Sequence, residues 1–214
     1  MTAPVRIAVV SAGLSQPSST RLLADRLAEA VRVGLGEQGR EVEIRVVELR
    51  ELAHAIADNL VTGFPGSALR QAVETVTGAD GIIAVSPVFS ASYSGLFKSF
   101  FDVIENTALT GKPVLIAATG GTARHSLVLD HALRPLFSYL RAVVLPTGVY
   151  AASEDWGTGD SALTDSLPGR ITRAAGELTA LLGHAGPGTA RADDEEELDF
   201  LPFDQQLAAL RPQG

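Results

Sequence analysis

VRIAVVSAGLSQPSSTRLLADRLAEAV, Val5 to Val31, is the stretch from which the rest of the chain is read. Val5 to Val10 is a short apolar run rich in β-branched residues, which suit extended backbone. It stops at Ser11, a loop of Ser, Gly, Gln and Pro follows, and helical spacing of apolar residues begins at Leu22. The stretch therefore reads as strand, loop and helix, the opening unit of a parallel α/β sheet. Its loop holds the hydroxyls of Ser11, Ser18, Ser19 and Thr20, with Arg21 just inside the helix. A helix N-terminus offers free N–H groups and the positive end of the dipole, so a phosphate would be held there. The plainer alternative is that Ser19 or Thr20 only caps the helix. One hydroxyl suffices for a cap, and this loop has several.

Working outward, 214 residues of which 46% are hydrophobic suit one sizeable core, expected over residues 1–184, with residues 185–214 as an appended tail. Cysteine is absent, which excludes thiolate metal sites, cysteine nucleophiles and disulfides. No leader pattern opens the chain and no apolar run is long enough to span a bilayer, so a cytoplasmic protein without a membrane partner is expected. The formal charge of -8 is concentrated at the end, where residues 193–214 hold seven acids against Arg211. The body is nearly neutral and lacks a basic stripe with interleaved aromatics, which argues against nucleic acid as a partner.

The first helix is expected from Thr20 to Gln38, ended by Gly34, Gly36 and Gly39. Val42, Ile44, Val46 and Leu49 alternate with charged residues and read as a second strand near a sheet edge. Helical character after Arg50 gives way to a Gly-Phe-Pro-Gly turn, and Ser67 to Thr77 reads as a crossover helix. Gly81 to Val85 is a continuous apolar run, as in a central parallel strand. After it come Pro87, Val88, Phe89, Ser90 and Tyr93, then a helix opening near Gly95. In open α/β sheets the crevice between strands one and three is where ligands bind, and an apolar, aromatic loop there suits a flat ring. Core packing of Phe89 and Tyr93 is the alternative.

The helix from Gly95 carries Leu96, Phe97, Phe100, Phe101, Val103 and Ile104, more apolar bulk than one face against a sheet requires. The surplus predicts a second buried contact, most simply a twofold interface in a homodimer or tetramer, or else cover by the chain's own tail. Pro113 to Thr119 reads as the fourth strand, followed by Gly120, Gly121 and Thr122; glycine there either lets backbone approach a ligand closely or simply makes a turn. Leu127 to Leu140 reads as a helix kinked or divided at Pro135. Val143 to Leu145 and Val149-Tyr150 read as the fifth strand, and Leu163 to Leu182 as the last helix. Between them Trp156 either covers a ligand or an interface, or packs locally. The acidic tail ends in an apolar motif around Phe200, Leu201, Phe203, Leu207 and Leu210, which would dock on its own subunit, across a dimer or on a partner. His54, His131 and His184 show no triad or metal spacing.

The serine-rich loop with SSTRLL, the PVFSASYSGLFKSFFD segment and the later Thr-Gly-Gly together resemble the flavodoxin-like NADPH-dependent FMN reductase family, over roughly residues 5 to 182. The nearest branch by these motifs is the flavin reductases that feed reduced FMN to two-component, luciferase-like monooxygenases. Related quinone and azo reductases show Pro-Glu-Tyr-Asn where this chain has Pro87-Val88-Phe89-Ser90. The resemblance implies a doubly wound five-stranded parallel sheet in the order 2-1-3-4-5, flanked by helices. It implies FMN and NADPH or NADH as cofactors, with the FMN phosphate on Ser11, Ser18, Ser19 and Thr20. The isoalloxazine would lie on Pro87, Val88, Phe89 and Ser90, beside Tyr93. N–H groups around Thr119, Gly120 and Gly121 would donate to a flavin carbonyl or N5. Arg124 and His125 would meet NAD(P)H, or are simply helix-start surface residues. No acid or base is expected to be essential, because hydride transfer belongs to the cofactors. Two other functions fit the same fold: a tightly FMN-bound quinone or azo reductase, and a non-enzymatic electron carrier of the flavodoxin type.

Overall fold

The computed structural model describes residues 3–157 and 166–184, and for His184 the backbone alone. Strands β1 (Val5–Ser11), β2 (Val42–Glu48), β3 (Gly81–Phe89) and β5 (Pro113–Gly120) run parallel. The sheet order is β2-β1-β3-β5-β6, with β6 (Val143–Val144) and β7 (Val149–Ala152) both paired to β5. The expected fifth strand is thus present as two short pieces. The reason lies in the break between them: Arg134 donates to the Leu145 and Pro146 carbonyls at 2.9 and 3.0 Å, and Glu177 accepts from the Thr147 N–H at 2.9 Å. Side chains take over the backbone bonds that the ladder gives up there.

The seventh strand, β4 (Ser92–Tyr93), departs from the sequence reading. Residues 86–93 read as a loop, but β3 runs on through Pro87 to Phe89 and folds back as a hairpin, pairing Val88 with Tyr93 and Phe89 with Ser92. Proline is tolerated because β1 makes its last pairing at Val85, which leaves one side of β3 free.

Two apolar layers cover the sheet. On one face α1 (Ser19–Glu37) and α6 (Leu167–His184) bury Leu23, Leu27, Val31, Leu35 and Leu178 against Val9, Ile83 and Leu115. Helix α1 passes through Gly34 and Gly36 instead of ending there. A Cβ at position 34 would lie 3.1 Å from Thr179 Cγ2, so this glycine permits the close approach of the two helices. Gly39, at φ +70°, is the glycine that turns the chain out.

On the other face lie α2 (Ala53–Thr62), α3 (Ser67–Thr77), α4 (Gly95–Val103) and α5 (Arg134–Tyr139). Here the surplus seen on the Gly95 helix is used inside the chain: Phe97, Phe100 and Phe101 are buried, and Phe101 meets Phe137 of α5 edge-on at 4.9 Å. Phe97 and Phe101 pack with their rings tilted at 53° and centroids 4.8 Å apart. The expected helix 127–140 is divided, with a π turn at Leu129–Leu133 handing over to α5 in which Pro135 occupies the first turn. At that position the missing proline N–H costs little. The start expected for the last helix at Leu163, and the tail at 185–214 with its acidic and apolar motifs, lie outside the described residues.

Candidate functional site at the carboxyl edge of the sheet

The carboxyl ends of β1, β3 and β5 bring the sequence-marked residues to one edge. Register pairs Ser11 with Val85, Pro87 with Thr119 and Gly120 with Ala152. Alternation along β1 turns Ser11 to the same face as Ile7 and Val9, beneath α1. Ser18 is the N-cap of α1, its Oγ accepting from the Arg21 N–H at 3.2 Å. Thr20 is buried, and its hydroxyl shares a 2.8 Å hydrogen bond with Thr119 on β5. That bond pins the first turn of α1 to the end of the central sheet. Ser19 is exposed at the same turn.

Two features mark this corner. The Ser11 hydroxyl is fully buried and has no hydrogen-bond partner, which costs about 1 to 3 kcal/mol when nothing compensates it. Gly13 is the second: a Cβ there would sit 2.1 Å from Ser18 Oγ, so only glycine lets the loop pass so close to the cap. The glycine is accounted for by the cap itself; the orphaned hydroxyl and the free N–H groups of the α1 N-terminus are donors of the kind an oxygen-rich anion would accept from.

Arg21 is placed otherwise than its sequence position suggested. Its Nε bonds Asp25 at 2.7 Å and its Nη1 bonds Glu48 at the end of β2. The hydrogen bond to Asp25, followed by that to Glu48, raises its pKa above the ordinary arginine value, so the guanidinium is permanently charged and occupied by two carboxylates.

The hairpin forms the second part of the site. Ser90 and Ala91 occupy its turn at φ +44° and +66°, left-handed backbone adopted without glycine. Its base is tied by Ser86, whose buried Oγ accepts from the Ser94 N–H at 3.0 Å and donates to the Pro87 carbonyl at 2.9 Å. Phe89 projects at the tip with 48% of its surface exposed, while Pro87 and Val88 are half-buried. Tyr93 is directed to the other face: it packs on Phe97 at 5.8 Å and lines a cleft of about 560 Å³ between α4 and α5, with Lys98, Asp102, His131 and Tyr139. The structure therefore separates Tyr93 from the Ser11 corner.

At the end of β5, a Cβ on Gly120 would lie 2.1 Å from the Tyr150 hydroxyl. That hydroxyl donates to the Thr122 carbonyl at 2.8 Å. Burial, then the nearby Asp155 charge, pushes the Tyr150 pKa above 10.0. Gly121 borders open space, so its backbone is accessible. Thr122 caps a short 3₁₀ turn whose Arg124 and His125 are exposed. Trp156 is half-buried against the α1-side core, with the Arg26 guanidinium of α1 5.0 Å from its ring centre. Sequence reasoning missed Ser86, Glu48 and Tyr150. Glu48 reads only as an outward residue of an alternating strand, and nothing local to Ser86 or Tyr150 announces their partners. No group of three or more potential metal ligands, and no helix long and apolar enough to cross a membrane, occurs among the described residues.

The sequence profile of the NADPH-dependent FMN reductases matches residues 5–157. An FMN reductase (NADPH) of Pseudomonas aeruginosa is 40% identical over 183 residues, 86% of this chain and 95% of that protein. The NADH-dependent FMN reductase SfnE of Pseudomonas putida is 38% identical over 184 residues, 86% of this chain and 95% of its own length. Among solved structures, an oxidoreductase of Corynebacterium diphtheriae is 47% identical with a TM-score of 0.82, covering 86% of this chain and 100% of that one.

Proposed function

The chain belongs to the NADPH-dependent FMN reductase family, and we propose that it reduces FMN at the carboxyl edge of β1, β3 and β5 and supplies the product to a monooxygenase. It is an NAD(P)H-dependent oxidoreductase with FMN as its flavin. The electron-carrier alternative falls with that membership.

The observation that carries the placement is the buried, unpartnered Ser11 hydroxyl beneath the α1 N-terminus. Ser11, Ser18 and Ser19, with the α1 N–H groups, would hold the 5′-phosphate. Thr20 contributes mainly through Thr119, since its hydroxyl is already engaged there. Phe89 and Pro87 would pack the isoalloxazine, Ser90 would border it, and Val88 supports the hairpin from its inner side. The open backbone at Gly121, set by the Tyr150–Thr122 bond, would donate to the ring's oxygen and nitrogen acceptors, with Thr119 and Gly120 fixing that strand end. Arg124 and His125 are exposed beside it and suit a nicotinamide nucleotide's phosphates. FMN held there would supply the hydride-accepting chemistry toward NAD(P)H, and the chain's part would be to hold both rings in register and exclude water. Tyr93 belongs to the α4–α5 cleft, which, with the exposed Tyr139, is the face we assign to a homodimer or tetramer contact.

Supply of a diffusible product, as against a prosthetic flavin, is supported by the exposure of Phe89 and by the departure from Pro-Glu-Tyr-Asn at Pro87–Ser90. The test is oxidation of NADH and NADPH by the purified protein with and without added FMN. Turnover that requires added FMN is expected. Turnover of a quinone with no added flavin would make the flavin prosthetic and overturn the supply role.

A further inference from the structure

The corner that would take the phosphate has an acid beside it. Ser11 and Glu48 are paired across β1 and β2, and paired residues of a parallel ladder point to the same face. The Glu48 side chain therefore emerges next to the orphaned Ser11 hydroxyl, 24% exposed, and binds Nη1 of Arg21. Arg21 itself stands in the first turn of α1, where a cation opposes the helix dipole unless an anion is near. Its Nε is held by Asp25, one turn along the same helix. Arg50 reaches the same loop but is directed to backbone, donating to the Leu14 carbonyl at 3.5 Å.

Resting on the phosphate placement above, we propose that Glu48 competes with the flavin phosphate for the Arg21 guanidinium, making Glu48 a positioning residue that weakens the grip on FMN. A guanidinium with five donors can keep Asp25 through Nε and exchange Glu48 for a phosphate oxygen at Nη1. While Glu48 holds Nη1 and Asp25 holds Nε, neither of those donors of Arg21 is available to a phosphate at the corner. An acid and an arginine arranged in this way suit a flavin that arrives, is reduced and leaves.

The experiment is titration of wild type, Glu48→Gln, Arg21→Gln and the double variant with FMN and with riboflavin, which lacks the phosphate. Glu48→Gln should tighten FMN about three- to tenfold, the scale of one additional charge-assisted hydrogen bond at a partly exposed site, and leave riboflavin unchanged. Arg21→Gln should weaken FMN alone, and in the double variant the tightening should vanish. Tightening of FMN and riboflavin alike, or tightening that survives loss of Arg21, would overturn the exchange. A wild-type preference for FMN over riboflavin that Glu48→Gln does not alter would overturn it while leaving the phosphate placement intact. Equal wild-type affinity for FMN and riboflavin would overturn both.

Discussion

The α1 corner and the β3–β4 hairpin, the two halves of the site we propose, are built in opposite ways. The corner is buried and wired by hydrogen bonds: Ser18 caps α1, Thr20 joins Thr119, and Gly13 leaves room for both. The hairpin is exposed at its tip, turns through two left-handed residues that are not glycine, and rests on aromatic packing from below. A charged group is held by fixed donors whose cost of ordering is met on folding, whereas a flat ring is held by surface and shape, for which an exposed tip suffices.

The contrast breaks most sharply at the hairpin's support. Phe97 is fully buried and touches both Tyr93 and Phe101, so Phe97→Ala should lower stability by about 3 to 5 kcal/mol, read by denaturant unfolding. A loss under about 1 kcal/mol would mean that the α4 aromatics are not core.

At the corner, structure and function should separate. Ser11→Ala should weaken FMN binding by about 1.5 to 3 kcal/mol, for a hydrogen bond to a charged group, yet leave the melting temperature unchanged or raised. Unaltered FMN affinity would remove the reason for the orphaned hydroxyl. Next in size is Gly120→Ala, which drives a methyl into the Tyr150 hydroxyl and should cost about 1 to 3 kcal/mol of stability, with activity falling as the Thr122 bond is lost.

Relief of strain runs the other way. Ala91→Gly, at φ +66°, should stabilise by about 0.5 to 1 kcal/mol, since the left-handed cost for alanine exceeds the entropy glycine adds to the unfolded chain. A raised apparent FMN constant alongside that stabilisation would show that the stiff turn orders Phe89. The smallest effect is on pH dependence. Because burial raises the Tyr150 pKa above its unfolded value of 10.0, the tyrosine's contribution is complete below pH 10 and is lost as pH rises through the folded pKa. Alkaline unfolding of Tyr150→Phe should lack that component.

The main strands, both crossover helices and the cluster of hydroxyls in the first loop are legible in the sequence because each depends on a local pattern, whereas the strand order is implied only by the family resemblance. Val5 to Val10 and Gly81 to Val85 are unbroken apolar runs, and Ser67–Thr77 matches α3 residue for residue. The hairpin is not legible, since its turn is Ser-Ala and carries none of the glycine or asparagine that marks left-handed backbone. The apolar surplus on α4 does signal a second contact, but pattern alone cannot say that Phe137, on the far side of the next strand in the chain, supplies it.

Local periodicity is enough to read the α/β class, and the first loop's composition is enough to propose a ligand edge there, because both are properties of short stretches of chain; the family is legible only as a likeness of three motifs. That Arg21 is held by Glu48, that Thr20 is spent on Thr119, that Tyr93 faces away from the corner and that Ser11 has no partner became visible only in the folded chain. Each of these depends on which strand lies beside which, and on the face to which alternation turns a side chain once the register is set.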